Sequence, residues 1–233
     1  MRTPRTALLL IGSPKPAASS SESLGAYLLE ELEKRGVTTQ TLKVANAVRT
    51  EEATEGLHAA VAAADLVVLS FPLYIDSLPA PAIRALELVA ARRAGRQAEA
   101  GDGSAAGEGS AFVAICQSGF PEVDHSEVAL EICRHFSESA GFEWNGGLLL
   151  AAGGMVGGRP LREIHGMMRS AVRALDLTAE ELAAGRPVPD EAVKLMAKPA
   201  FPAFGYRFMA NQGWRSQVKK HGEGASLEAQ PFA

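Results

Sequence analysis

Short, continuous apolar segments recur along the chain, and they do not alternate with polar residues as a half-exposed strand would. Four of them occupy residues 7–11, 66–71, 111–116 and 148–152. Runs of this length that are apolar throughout are typical of parallel strands buried on both faces. A more polar segment at residues 38–44 alternates, which favours a strand nearer the edge of a sheet. The pattern therefore predicts five strands.

Between these strands, apolar residues recur at the three- and four-residue steps of amphipathic helices. The predicted stripes are Leu24, Leu28 and Leu32; Leu57 and Val61; Ile83 and Leu86; Val128, Ile132, Phe136 and Ala140; and Ile164, Met168, Val172 and Leu175. Gly36 is placed to end the first helix and Pro160 to begin the last. Strands alternating with helices predict an α/β fold: a doubly wound, five-stranded parallel sheet with helices on both faces.

Two segments fall outside this core, which we assign to residues 1–176. Residues 94–109 are rich in Gly, Ala and acidic residues, and we expect a mobile surface insertion there. Residues 177–233 are predicted to form a C-terminal helical extension. It starts with a short helix opened by a capping box of Thr178 and Glu181, followed by a proline-bounded helix at 190–197 and an aromatic tail.

The aromatic tail is also basic, since residues 194–220 contain six Lys or Arg and no Asp or Glu. A terminus with so many large apolar groups usually packs on its own domain or on a partner subunit, and we expect an oligomer arm. A membrane-surface role is the weaker alternative.

Composition narrows the function classes. With 233 residues and 47% hydrophobic residues, the chain suits one globular domain. A net charge of -4 and a pI near 5.8 argue against nucleic acid partners and favour small molecules. No apolar run approaches the roughly 20 residues of a membrane span, which argues against membrane contact. The two cysteines and five histidines lack metal-ligand spacing, which predicts no metal site and fits a reducing cytoplasm.

The loop after the first predicted strand, residues 12–21, offers serine hydroxyls, backbone N–H groups and Lys15 at the start of a helix. Such a helix N-terminus solvates a phosphate well. The loop is neither a Walker motif nor a dinucleotide fingerprint. A serine-rich, solvent-exposed helix cap is the alternative interpretation.

The loops after the third and fourth strands follow the same plan. Residues 71–79 carry two prolines and Tyr74, so a stiff loop can present an aromatic side chain to a planar ring, or Tyr74 simply covers the core. In residues 117–122, Gly119 allows a ligand to approach the backbone closely, unless this is an ordinary helix entry. Ligands of open α/β sheets bind beyond such strand ends, so we expect the three loops to meet at one crevice.

Taken together, these loops resemble those of the NAD(P)H-dependent FMN reductases, which have the flavodoxin-like fold. The resemblance is carried by Gly12-Ser-Pro-Lys15 followed by Ser19, Ser20, Ser21 and Leu24, and by Pro72-x-Tyr74 with Pro79 and Arg84. It extends over about residues 7–176 by element order. Lys15 and Arg84 stand where arginine and lysine are more usual, and the first loop is slightly longer.

This resemblance implies that the first loop binds the FMN phosphate, the second packs on the isoalloxazine ring and the third borders the other edge of that ring. The implied cofactor-binding residues are Ser13, Lys15, Ser19, Ser20, Ser21, Pro72, Leu73, Tyr74, Ile75, Asp76, Gln117, Ser118 and Gly119. No catalytic side chain is assigned, although His125, just beyond the third loop, is either a proton donor or a solvated surface residue.

The expected function is an FMN-dependent oxidoreductase that passes electrons from NADH or NADPH through bound FMN to a quinone, flavin or similar small acceptor. The resemblance also implies a homodimer or homotetramer. A flavodoxin-like electron carrier or flavin-binding module without its own NAD(P)H turnover, and a flavin-free interaction protein, remain alternatives. The glycines at residues 153–158 are expected to form a close backbone turn at a subunit contact, since they lack the G-x-G start of a dinucleotide motif.

Overall fold

The computed structural model describes residues 2–100, 109–199 and 203–220. Its centre is a parallel sheet with the strand order β2-β1-β3-β4-β5. The strands are β1 (Thr6–Ile11), β2 (Thr38–Lys43), β3 (Leu66–Pro72), β4 (Ala111–Gln117) and β5 (Glu143–Leu150). The strand order reverses between β1 and β3, so a crevice opens beyond the carboxyl ends of these two strands.

Eight helices accompany the sheet within the described residues. They are α1 (Ser20–Glu33), α2 (Val44–Ala47), α3 (Glu51–Ala63), α4 (Ala80–Ala100), α5 (Glu127–Ser139), α6 (Arg169–Ala183), α7 (Asp190–Ala197) and α8 (Ala203–Lys220). One core cluster joins α1, α6 and α7 to one face of the sheet, and a second joins α2 to α5 to the other. The predicted doubly wound, five-stranded parallel sheet is therefore confirmed.

Strand burial follows the hydrophobic pattern. Every residue of β3 is buried, as expected of a central strand with helices on both faces, whereas no residue of β2 is fully buried and this strand forms an edge. The fifth strand differs from its prediction because it begins at Glu143 and ends at Leu150. The apolar Ala152 after it has a φ of 52°, in the left-handed region, and belongs to a turn.

Helix α4 is longer than the sequence predicted. It continues to Ala100, so residues 94–100 are helical and do not belong to a mobile insertion. Ala, Arg, Gln and Glu in this stretch are strong helix formers, and an uninterrupted helix satisfies their backbone groups. Residues 101–108 of the predicted insertion lie outside the described residues.

The last part of the sheet domain also differs in its helix boundaries. After a 3-10 turn at Leu161–Ile164, α6 begins at Arg169, not at Pro160, although the predicted apolar stripe is buried. Helix α6 then runs through Thr178, whose hydroxyl donates to the Ala174 carbonyl over 2.8 Å. The predicted separate helix with a capping box at Thr178 is therefore wrong, whereas the helix at 190–197 is confirmed as α7.

The predicted stripe of α5 is partly wrong. Val128 and Ile132 are 59% and 38% exposed, and the side chains that enter the core are Ala129, Cys133 and Ser137. Small side chains let this helix lie close to the sheet, so its buried face is set by close packing and not by its largest apolar residues.

The C-terminal tail is helical at Ala203–Lys220, where Phe208 and Trp214 are exposed. Residues 200–202 and 221–233 of the predicted extension lie outside the described residues, and the oligomer arm stays a prediction. None of the helices that the structure describes is long and apolar enough to cross a membrane.

Candidate functional site

The three loops that the sequence singled out meet around one cavity of about 200 Å³ at the carboxyl ends of β1, β3 and β4. The cavity is lined by Ser13, Lys15, Ser19, Ser20, Pro72, Leu73, Tyr74, Gln117, Gly119 and Gly154. Strand-order reversal places it where open α/β sheets bind their ligands. We call it the β1–β3–β4 cleft.

The first loop leaves β1 through a tight contact. The Gly12 N–H donates to the Ser70 carbonyl over 2.8 Å, and a Cβ on Gly12 would lie 2.6 Å from the Cβ of Phe71. Real Cβ atoms do not approach so closely, so only glycine fits here without a backbone shift. Gly12 therefore brings the start of the loop against β3, beside the second loop.

The same loop ends at the N-terminus of α1. Ser19 caps this helix, since its hydroxyl accepts the Glu22 N–H over 3.2 Å. The first N–H groups of any helix have no carbonyl partner within the helix, and the helix dipole makes this end partly positive. Ser13, Ser19 and Ser20 thus surround a place suited to an anion, and Lys15 adds the one full charge among the described residues that line the cleft.

Ser21 lies in the first turn of α1 and is fully buried. Its carbonyl accepts the Ser70 hydroxyl over 2.7 Å, yet its own Oγ has no hydrogen-bond partner in the described structure. An unsatisfied buried hydroxyl costs about 1–3 kcal/mol. The beginning of α1 therefore contains a buried hydroxyl without a described partner, although Ser21 does not line the cleft.

The second loop is a two-residue turn. Tyr74 and Ser77 exchange two backbone hydrogen bonds, of 2.9 and 3.1 Å, and the residues between them have φ values of 50° for Ile75 and 54° for Asp76. Both values are left-handed, as in a type I′ turn. The Leu73 N–H donates to the Gln117 carbonyl over 2.8 Å, which ties this loop to the third one.

The side chains of this turn point to different surroundings. Tyr74 lines the cleft and is 44% exposed, whereas Ile75 is 99% exposed and, like Asp76, does not line it. The apolar part of the cleft therefore consists of Pro72, Leu73 and the Tyr74 ring.

The third loop is held by the segment that follows β5. Gly153 donates to the Ser118 carbonyl and Ala152 to the Phe120 carbonyl, each over 2.7 Å. Ser118 is buried and outside the cleft. Gly119 has no atom within 4 Å of the position of a Cβ, so the space on this side of the residue is open.

Four residues that the sequence grouped with the site, Ser21, Ile75, Asp76 and Ser118, are thus not among those that line the cleft. Gly154 lines the cleft and was missed. The sequence signal was the glycine pair after the last strand, which we assigned to a close backbone turn at a subunit contact without connecting it to the neighbouring strand end. His125 packs on Phe120, with ring centroids 4.8 Å apart, and also lies outside the lining.

The nearest cysteine does not add redox chemistry to the cleft. Cys116 precedes Gln117 in β4, and burial raises the pKa of its thiol to about 12, against a smaller opposing effect of a hydrogen bond with Ser126. Burial also raises the pKa of the Cys133 thiol. Thiols of this kind are inert near neutral pH because the thiolate is the reactive form. The described residues include no group of three or more His, Cys, Asp or Glu side chains placed to hold a metal ion.

The sequence was compared with models of known protein families. The model of the NADPH-dependent FMN reductase family matches residues 6–123, just over half of the 233-residue chain. A search of curated protein sequences found no significant match.

Solved structures show the same fold. A flavone reductase is 12% identical, with 92% of this chain and 91% of that chain covered and a TM-score of 0.56. An FMN-dependent NADH-azoreductase from Bacillus anthracis, in complex with FMN, is 12% identical over 76% of this chain and 99% of that chain, with a TM-score of 0.53. RosB with a bound 8-demethyl-8-formylriboflavin-5'-phosphate intermediate is 14% identical over 98% of this chain and 92% of that chain, with a TM-score of 0.55. At such low sequence identity, the similarity to these structures shows a shared fold and no more, and this fold is flavodoxin-like.

Proposed function

Because the chain belongs to the NADPH-dependent FMN reductase family, we propose that the β1–β3–β4 cleft is its FMN site, and that electrons pass there from NAD(P)H to a quinone, free flavin or similar small acceptor. The chain is an FMN-dependent NAD(P)H oxidoreductase. The residues that hold FMN and the identity of the acceptor are our proposal.

One observation carries the assignment of the cleft. Its two sides differ in chemistry: the α1 side offers hydroxyls, helix N–H groups and the Lys15 ammonium, and the β3 side offers Pro72, Leu73 and the Tyr74 ring. FMN has the same two parts, an anionic phosphate and a flat heterocycle. An anion is favoured at a helix N-terminus, and an aromatic ring packs well on tyrosine.

The serines are proposed to hold the phosphate together with the first N–H groups of α1 and Lys15. Each contact to a charged oxygen is stronger than a neutral hydrogen bond, so this end fixes the position of the cofactor.

The remaining lining residues are proposed to orient the ring. Tyr74 and Leu73 pack on it, and the Gln117 side-chain amide, which can both donate and accept, meets its polar edge. Gly119 and Gly154 let the backbone approach closely. Bound FMN supplies the hydride and electron transfer, and the protein contributes binding, orientation and the exclusion of water.

The surroundings of the cleft favour assembly into a homodimer or homotetramer, as we propose. Tyr74 and Phe120, on the second and third loops, are exposed aromatic side chains. Exposed groups of this kind near a site are typical of subunit contacts. The buried thiols of Cys116 and Cys133 suit the reducing cytoplasm, where we place the enzyme.

A flavin titration tests the proposal. The purified chain is mixed with FMN, freed of unbound flavin, and its absorption spectrum is recorded during anaerobic addition of NADH or NADPH. Stoichiometric flavin that bleaches with either nucleotide supports the oxidoreductase. Flavin that binds but does not bleach supports the electron carrier. A colourless protein after reconstitution rejects the proposed site.

A further inference from the structure

A second cavity, of about 140 Å³, lies between α3 and α4 and shares no lining residue with the β1–β3–β4 cleft. Its walls are Val61, Ala62 and Val89 together with four nitrogen-bearing side chains, those of His58, Arg92, Arg93 and Arg96. Helix α4 starts at Ala80, just beyond the carboxyl end of β3. At 1.5 Å per residue, Arg96 lies about 24 Å along the helix axis from Ala80 and hence far from that strand end. We call this the α3–α4 cavity.

The arginines of this cavity differ in their contacts. Arg92 is paired with Glu55, whose Oε2 lies 3.3 Å from its Nη2. Arg93 is 8% exposed, donates to the carbonyls of Ala140 and Gly141, and lies 3.9 Å from the centroid of the Phe142 ring. These contacts orient the Arg93 guanidinium.

The cationic groups also affect one another. Burial lowers the pKa of His58, and the charges of Arg92 and Arg96 lower it further, while Glu55 opposes them. Burial lowers the pKa of Arg93 too, and the charge of Arg96 adds to this effect. Guanidinium groups crowded around one cavity repel each other, and an anion between them removes this repulsion.

We propose that the α3–α4 cavity is a second binding site, specific for a phosphoryl group. Guanidinium groups match the oxygens of phosphate in paired hydrogen bonds, and they do so better than ammonium groups. The cavity has room for several water molecules, and hence for one tetrahedral anion. The phosphoryl group is either free phosphate or the phosphate of a nucleotide, whose base would extend into solvent.

The site is tested on the FMN-loaded protein, in which the proposed phosphate position of the cleft is already filled. Inorganic phosphate and AMP are titrated separately by calorimetry at constant ionic strength, with chloride as the exchanged anion. Arg96→Ala removes an exposed arginine and should weaken binding about tenfold, the usual size of one lost charged hydrogen bond. Glu55→Gln removes the competing carboxylate of Arg92 and should tighten binding.

Arg84→Ala is the matched control. Arg84 is on the same helix, exposed and paired with Glu87, but does not line the cavity, so this variant should bind as the wild type does. If phosphate and AMP bind with equal affinity, the phosphoryl group alone accounts for binding and the ligand is free phosphate. If AMP binds more tightly than phosphate, and Arg96→Ala weakens this binding, the ligand is a nucleotide. Absence of saturable binding of both, or equal affinities in Arg96→Ala and wild type, overturns the proposal. The bleaching test of the cleft is independent of either result.

Discussion

The Gln117 side chain packs directly on Gly153, such that a Cβ on Gly153 would meet its Oε1 and lie 2.8 Å from its Cβ. A rotation of the Gln117 amide relieves the first contact but not the second, because the Cβ moves only with the backbone. Gly153 is also hydrogen-bonded to the Ser118 carbonyl. The turn after β5 and the third loop therefore form one unit at the edge of the cleft.

Gly153→Ala should consequently weaken FMN binding by about tenfold, because it displaces both Gln117 and the third loop from their positions at the cleft. Fluorescence quenching of FMN measures the affinity. Gly166→Ala is the control, since no atom lies within 4 Å of a Cβ there and the residue does not line the cleft. Equal FMN affinity of Gly153→Ala and Gly166→Ala would show that Gln117 is not held by this contact.

Lys15 is predicted to bind the phosphate and not the ring. Lys15→Met removes the full positive charge from the residues that line the cleft, and a charge-assisted contact of about 1.5 kcal/mol corresponds to roughly tenfold in affinity. Affinity for FMN should fall by this factor, whereas affinity for riboflavin, which lacks the phosphate, should not change. Lys194→Met, at an exposed position of α7, should affect neither ligand. An equal loss for both flavins would place Lys15 elsewhere in the site.

The hydrophobic pattern located all five strands because buried parallel strands have a strong signal, but it missed the more polar first half of β5, which begins at Glu143. It was less reliable for helices: Val128 and Ile132 of α5 are apolar but exposed, since the sheet accepts the smaller Ala129 and Cys133 instead. Nothing in the local sequence distinguishes these two faces, because the choice depends on the distance between helix and sheet.

At the cleft, too, the sequence could not predict features that depend on tertiary structure. The residue types of the loops and the expected strand order were sufficient to predict that Ser13, Tyr74 and Gln117 lie around one cleft. The local sequence did not show that the turn directs Ile75 away from the cleft, or that Gly154, in the turn after β5, lines it. Both depend on backbone dihedral angles and on hydrogen bonds between distant segments, which residue types alone do not specify.

Tyr74 is predicted to stabilise bound flavin through its ring. Tyr74→Ala should lose the packing of an aromatic pair, about 0.5–1.5 kcal/mol beyond the area buried, and should release FMN during gel filtration. Tyr74→Phe keeps the ring, so it should retain the cofactor. Unchanged flavin content and turnover in Tyr74→Ala would count against the second loop as the ring site, and flavin loss in Tyr74→Phe would assign the role to the hydroxyl.

Ile75 is predicted to destabilise the protein in its present position. Its φ of 50° is unfavourable for a β-branched residue, and its side chain, 99% exposed, gains no packing in return. Asparagine adopts the left-handed region more easily, so Ile75→Asn should raise the free energy of unfolding by about 1 kcal/mol. Ile83→Asn, also at an exposed position but within α4, should give no gain. Urea denaturation compares the two, and a destabilised Ile75→Asn would mean that Ile75 is covered in solution.

Asp65 joins the beginnings of β1 and β3 through hydrogen bonds to its carboxylate. Its Oδ2 accepts the Arg5 N–H over 2.8 Å and the Thr6 N–H and hydroxyl over 3.0 Å each. Burial by itself would raise the pKa of Asp65, but these hydrogen bonds outweigh burial, and the pKa is lowered from its ordinary value. The folded protein thus holds the proton of this carboxyl less tightly than the unfolded chain does.

The contribution of Asp65 to stability is therefore complete above the pKa of the unfolded chain, about 3.9, and is lost as the pH falls through the lower pKa of the folded state. Asp65→Asn should lower the free energy of unfolding at pH 7 by about 1–3 kcal/mol, because the amide replaces a charged acceptor with a weaker one. The variant should also lose less stability than the wild type between pH 5 and pH 3. Asp124→Asn, at an exposed carboxylate, should leave both the stability at pH 7 and the acid limb unchanged. Parallel acid limbs for Asp65→Asn and wild type would show that the carboxylate is not preferentially stabilised in the folded state.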